Sequence, residues 1–93
     1  MIATGHRVLD VVLSSKMEKC LQNDITMTIV ADGKALDFME SLDVAAFFGN
    51  ALDNAIEASL RVNDPEERMI QVTVRETRGF VVAKVENHYP HRV

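Results

Sequence analysis

Phe47-Phe48-Gly49-Asn50-Ala51-Leu52-Asp53-Asn54-Ala55-Ile56-Glu57-Ala58-Ser59 decides how this chain is read. At about 100° per residue a helix brings Asn50, Asn54 and Glu57 within roughly 60° of one another. Asp43 and Arg61 fall on the same line. The opposite arc holds Val44, Phe48, Leu52, Ala55, Ile56 and Ser59. A solvated helix face usually carries Lys, Glu and Arg, so an amide stripe over so apolar a back is suited to holding something. The bland alternative is an ordinary polar face that contains Asn. The spacing predicts a helix from 44 to about 61 with Asp43 as its N-cap. Gly49 inside it costs about 1 kcal/mol against Ala, and close packing is the expected reason for it. Asn63-Asp64-Pro65 ends the helix: Asn accepts a left-handed conformation and Pro cannot continue.

Before this helix, residues 5–23 predict another. Val8, Leu9, Val12, Leu13, Met17, Cys20 and Leu21 recur at spacings of three and four, with Thr4 as a candidate cap and Asn23-Asp24 as the stop. In 25–31, Ile25, Met27 and Ile29 alternate with Thr26, Thr28 and Val30, which reads as a strand. A turn at Ala31-Asp32-Gly33-Lys34 follows, and 35–42 is either a short strand or a connector. After the organising helix, Ile70, Val72 and Val74 mark one strand and Val81, Ala83 and Val85 another, with Arg78-Gly79 as the hairpin turn between them. Each strand has one apolar face, so both helices cover one side of the sheet. The expected architecture is a two-layer α/β sandwich on a mixed or mainly antiparallel sheet.

Composition narrows the function. The 93 residues suffice for one small domain, and 47 % hydrophobic with 5 % aromatic residues implies an aliphatic core. A net charge of −4 with scattered basic residues argues against nucleic acid as a partner. No apolar run approaches the ~20 residues of a membrane span, and 1–6 lack the design of a signal peptide. The single cysteine, Cys20, excludes an internal disulfide, fits a reducing compartment and reads as a small buried apolar residue. His88 and His91 are too few for a metal site. An Asn oxygen is a neutral hard acceptor, and Mg²⁺ is commonly held by one or two protein oxygens plus substrate phosphates. Two amides on consecutive turns therefore suit a Mg-nucleotide better than a bare cation.

The stretch 48–58 resembles the asparagine box of the GHKL ATP-binding fold, the superfamily of sensor histidine kinases, Hsp90-type chaperones, type II topoisomerases and MutL-type proteins. Within it the chain is most similar to sensor kinases of the Gram-positive peptide-pheromone receptor type. Thr4-Gly5-His6-Arg7-Val8-Leu9-Asp10 with Lys16, the Leu42-Asp43 lead-in and the final strand pair carry that likeness. The resemblance implies that Asn54 coordinates Mg²⁺ and bridges it to the phosphates of ATP. Asn50 stands where ATP-hydrolysing relatives have a glutamate base. An amide cannot take that proton, so the implied reaction is phosphoryl transfer to a protein. Glu57, where many relatives are basic, either holds solvent near the metal or faces water. Asn87 matches the strand-end aspartate that receives the adenine amino group, but His88 stands where the family has glycine. His6 reads as structural or exposed, not as a phosphoacceptor.

The same resemblance implies that 1–93 is the N-terminal part of a catalytic domain, with the phosphate-wrapping lid and the last strands absent. It implies partners as well: the protein's own dimerisation helices, which carry the phosphoacceptor histidine, and a response regulator. The expected location is cytoplasmic, on a membrane-anchored receptor. With the lid absent, the 93 residues are expected to bind ATP weakly, transfer nothing and self-associate through an exposed sheet edge or apolar patch. The rivals are a nucleotide-free GHKL-like interaction module and an anti-sigma-factor-type serine kinase.

Overall fold

The computed structural model describes residues 2–88. The tail from 89, and with it the pairing of His88 with His91, lies outside them. The elements are α1 (Arg7–Gln22), β1 (Thr26–Ala31), α2 (Ser41–Leu60), β2 (Met69–Thr77) and β3 (Phe80–His88), with short 3₁₀ turns at Gly33–Leu36 and Pro65–Glu67. The sheet runs β1-β2-β3 and is mixed. β1 pairs with β2 in parallel from Thr26↔Met69 to Ala31↔Val74, and β2 pairs with β3 antiparallel from Met69↔His88 to Thr77↔Phe80. The expected α/β sandwich is therefore the one that forms.

Its core follows from the alternation and the helical stripes. Leu9, Leu13 and Cys20 of α1, Val44, Phe48, Leu52, Ala55 and Ile56 of α2, and Ile70, Val72 and Val74 of β2 are all buried in one cluster. Phe48 is the one aromatic among these buried residues. Burying a side chain of that size contributes about 2–3 kcal/mol, so this layer of contacts is what seats α2 on the sheet. Burial also pushes the Cys20 thiol pKa up, as expected of a packing cysteine.

Several details differ from expectation. Thr4 does not cap α1. His6 occupies the N-cap, and its Nδ1 accepts from the Leu9 N–H at 3.2 Å. Thr4 instead donates its N–H (2.8 Å) and its hydroxyl (2.6 Å) to Asp10 Oδ1. His6 is structural and buried. The α2 helix begins at Ser41, three residues earlier than predicted, with Glu40 at the N-cap and no side-chain cap bond. Asp43 lies in the first turn, where its charge favours the positive end of the helix dipole. Asn63 is not left-handed. Among the described non-glycine residues, only Asp24 and Arg78 have positive φ. Residues 35–42 form no strand: they complete the first 3₁₀ turn and lead into α2.

Two glycines have distinct physical reasons. At the hairpin, Arg78 and Gly79 have φ of 53° and 81°, the double left-handed geometry of a type I′ turn. At Gly33, a Cβ would come within 2.8 Å of the His6 backbone N and would also strike Thr4 Oγ1. Gly33 N–H donates to the Thr4 carbonyl at 2.8 Å, so glycine there lets the N-terminal segment lie directly on the turn. Close packing does not explain Gly49. A Cβ on it would meet nothing within 4 Å.

A guanidinium closes the opposite end of the layer. Arg68 Nε donates to the Val62 carbonyl and Nη1 to the Asn23 carbonyl, each at 3.0 Å, while Thr26 N–H donates to the Arg68 carbonyl at 2.9 Å. One side chain thus ties the exits of both helices to the start of β2.

Candidate functional site

The amide stripe lies on α2, a helix rich in good helix formers (Ala45, Ala46, Ala51, Ala55, Ala58) and fixed by its apolar back. Asn50, Asn54 and Glu57 are all exposed, as are Asp43 and Arg61 on the same line. Among the described residues, none of these three side chains makes a hydrogen bond or ion pair. Both carboxamide oxygens are therefore unspent, one turn apart, and face solvent.

Asp53 lies between them in sequence but turns aside. Lys16 Nζ of α1 sits 2.6 Å from Asp53 Oδ1, with the two side chains about one-fifth and one-half exposed. The pair joins the helices and leaves the amide stripe to the side. Among the described residues, no group of three His, Cys, Asp or Glu side chains gathers to cage a cation. A metal on this helix would rest on amide oxygens and on ligands brought by a substrate. Neutral oxygen donors in that number fit a Mg²⁺ ion that keeps waters and phosphates in its shell.

Asn87 is placed differently. On β3 it follows Val81, Ala83 and Val85 on the face turned to the helices, and it is half-buried. Its Nδ2 donates to the Ala55 carbonyl at 2.8 Å and to Ser59 Oγ at 2.9 Å. Asn50 and Asn54 thus share the outer face of α2, whereas Asn87 packs under its inner face, against residues 55 and 59. Ser59 is 1 % exposed. Reading the sequence put Ser59 in the apolar arc without a role. A hydroxyl on a buried stripe is itself a signal, because it needs a polar partner.

An apolar groove of about 160 Å³ opens beside the N-terminal half of α2, lined by Leu36, Phe38, Met39, Phe47, Phe48, Val81 and Ala83. Phe38 is 73 % exposed and Phe47 46 % exposed. The Phe47 and Phe48 rings meet edge to face with centroids 4.9 Å apart. None of these residues carries chemistry, and the groove is distinct from the amide stripe.

A family model described as a GHKL domain matches residues 39–93. The matched segment takes in all of α2, with Asn50 and Asn54, together with β2 and β3. The chain belongs to the GHKL domain family. That membership makes it part of a family of ATP-binding modules of the kinase and ATPase type, and the α/β layer agrees with it. No curated protein and no solved structure matches the chain. Among the described residues of this GHKL domain, no helix is long and apolar enough to cross a membrane.

Proposed function

We propose that this GHKL domain binds Mg-ATP and serves as part of the catalytic domain of a sensor histidine kinase of the pheromone-receptor type. The γ-phosphoryl group would pass to a histidine on the protein's own dimerisation helices and then to a response regulator. The observation that carries the reading is the pair of unspent amide oxygens at Asn50 and Asn54, one turn apart on the exposed face of α2 within the family match. Asn54, with Asn50 beside it, would hold Mg²⁺. The metal would neutralise phosphate charge and hold the phosphoryl group in line. Asn50 carries no basic lone pair, which favours transfer over hydrolysis. Glu57 would hold water near the metal.

The test is an NMR titration of the 93-residue chain with ATP, with and without Mg²⁺. Millimolar binding that strengthens with Mg²⁺, and loses that dependence in Asn54→Ala, is the expected result. Equal ATP binding by wild type and Asn54→Ala, indifferent to Mg²⁺, would overturn it. The chain is further proposed to self-associate, because β1 and β3 are outer strands among the described residues. Sedimentation that shows a monomer at every concentration would refute that.

One observation favours a second reading, a nucleotide-free docking module. The apolar groove beside the N-terminal half of α2, with its exposed Phe38, offers a docking surface distinct from the amide stripe. Failure of ATP to perturb any α2 resonance would favour this reading.

A further inference from the structure

We infer that β3 is a self-complementary edge: a second copy of this chain adds its own β3 antiparallel to it, in the register centred on Val85 that sets Lys84 opposite Glu86 of the other copy. The inference rests on the self-association proposed above and deepens it by naming the edge, the partner and the register. It does not depend on nucleotide binding.

An outer strand leaves every second N–H and C=O without a ladder partner, and another strand can take them. The two-residue turn closes on the pair Thr77↔Phe80, which exchanges both backbone bonds. Counting on from Phe80, Val82, Lys84 and Glu86 bond to β2, while Val81, Ala83, Val85 and Asn87 turn their backbone groups outward. The two outer strands are not equivalent. β1 has six residues, none of them charged, and Ile2, Ala3 and Thr4 stand beside its Ile29 and Ala31. β3 has nine, and its helix-side residues Val81, Ala83 and Val85 are only partly buried. The sandwich therefore ends at β3 with apolar side chains half covered.

Charge then chooses the register. Lys84 and Glu86 alternate with those residues on the open face of the sheet, each about half exposed, with Nζ 3.5 Å from Oε2. A two-fold axis through Val85 sets Lys84 of each copy opposite Glu86 of the other. The two pairs within the copies then close into a ring of four alternating charges. Val85 meets Val85 of the second copy as a hydrogen-bonded pair, because its backbone groups are the outward ones. An axis through Lys84 or through Glu86 would set like charges opposite each other, which is destabilising. An axis through Ala83 would set Lys84 opposite Val82 and Glu86 opposite Phe80, pairing no charges. The contact is isologous and spends the β3 edge of both copies, so two three-stranded sheets become one. A one-strand seam falls below the roughly 800 Å² per partner of a stable interface, so the dimer forms only at high concentration.

The test is sedimentation of the 93-residue chain over a concentration series, with amide hydrogen exchange read by NMR at low and high concentration. The wild type dimerises, and the Ala83, Val85 and Asn87 amides gain protection with concentration while those of β1 do not. Lys84→Glu and Glu86→Lys each set like charges across the seam and weaken the dimer about tenfold. The two changes made together in one chain restore it, as does mixing the two single variants. Circular dichroism confirms that each variant is folded. If a variant fails to fold, the wild-type exchange pattern decides. A monomer at every concentration overturns the self-association and this pairing together. Association that protects the β1 amides instead, or that the single charge reversals leave unchanged, overturns the β3 pairing while the self-association stands.

Discussion

Lys16 Nζ and Asp53 Oδ1 lie 2.6 Å apart and join α1 to α2. The bond also decides which carboxylate near the amide stripe is committed elsewhere. Both groups see solvent, so the attraction is screened and its energy is small. A double-mutant cycle with Lys16→Ala and Asp53→Ala should show a coupling of about 0.2–1 kcal/mol that shrinks as salt is raised. A coupling above ~2 kcal/mol would show that the pair is more buried than the structure has it.

Gly49 offers a clean trade between stability and ligand access. A Cβ there meets nothing within 4 Å, and Ala is better than Gly in a helix interior by about 1 kcal/mol. Gly49→Ala should therefore raise the melting temperature by about 4–8 °C. If the substrate phosphates approach the backbone next to Asn50, the same variant should also weaken ATP binding. A lower melting temperature would contradict the open surroundings of this residue.

The contact of Thr4 with Asp10 predicts a pH effect. The side-chain hydrogen bond from Thr4, then its backbone hydrogen bond, then the nearby charge of His6 hold the Asp10 carboxyl below the usual aspartate value against the opposing effect of desolvation. A depressed folded value means that the contribution is complete above the unfolded value near pH 4. It is lost as pH falls through the lower folded value. The Thr4 amide resonance should keep its hydrogen-bonded shift from pH 7 to about pH 4 and change only below that. Asp10→Asn should remove this step. A Thr4 transition centred above pH 5 would rule out the arrangement.

Arg68 should matter more than any surface charge. Its two bonds to the Val62 and Asn23 carbonyls come from a charged donor, and such bonds contribute about 1.5–3 kcal/mol each at most. Arg68→Ala should destabilise by roughly 2–4 kcal/mol in urea unfolding, allowing for both bonds. Arg68→Lys should recover less than half, because an ammonium lacks the fork that reaches two separate carbonyls. A loss below ~0.5 kcal/mol for Arg68→Ala would mean that water replaces the guanidinium.

Much of this could be read before the fold was seen, and the reasons differ by residue. The stripes of α1 and α2 and the alternation of Val72-Thr73-Val74 were legible because burial imposes a period on the sequence. Arg78-Gly79 was legible because few dipeptides suit a type I′ turn. Asn50 and Asn54 were legible as a pair through helical spacing alone. The true caps were not: His6 rather than Thr4 takes the N-cap because Asp10, one turn on, draws Thr4 away. Nor was the role of Arg68 legible, since it depends on two carbonyls across space, and the open surroundings of Gly49 have no local signature either. The bond from Asn87 to Ser59 spans 28 positions and has no local signature. Its only trace in the sequence is a polar residue on each of two otherwise apolar faces.

The mixed sheet also has a consequence for the order of assembly. β2 and β3 are joined by a two-residue turn, and such hairpins form within about 1–10 μs. β1 meets β2 only after the whole of α2 has been crossed, so its ladder carries the entropy of a long loop. We expect the transition state for folding to contain the hairpin with part of α2 docked on it, and β1 to join late. Val74→Ala should then slow refolding, while Met27→Ala should chiefly accelerate unfolding. Equal retardation of refolding by both would argue for simultaneous assembly. On this route the helix bearing Asn50 and Asn54 is also the tether that measures out the closure of the sheet. A cation that stiffened its outer face would act on the folding rate as well as on the finished site.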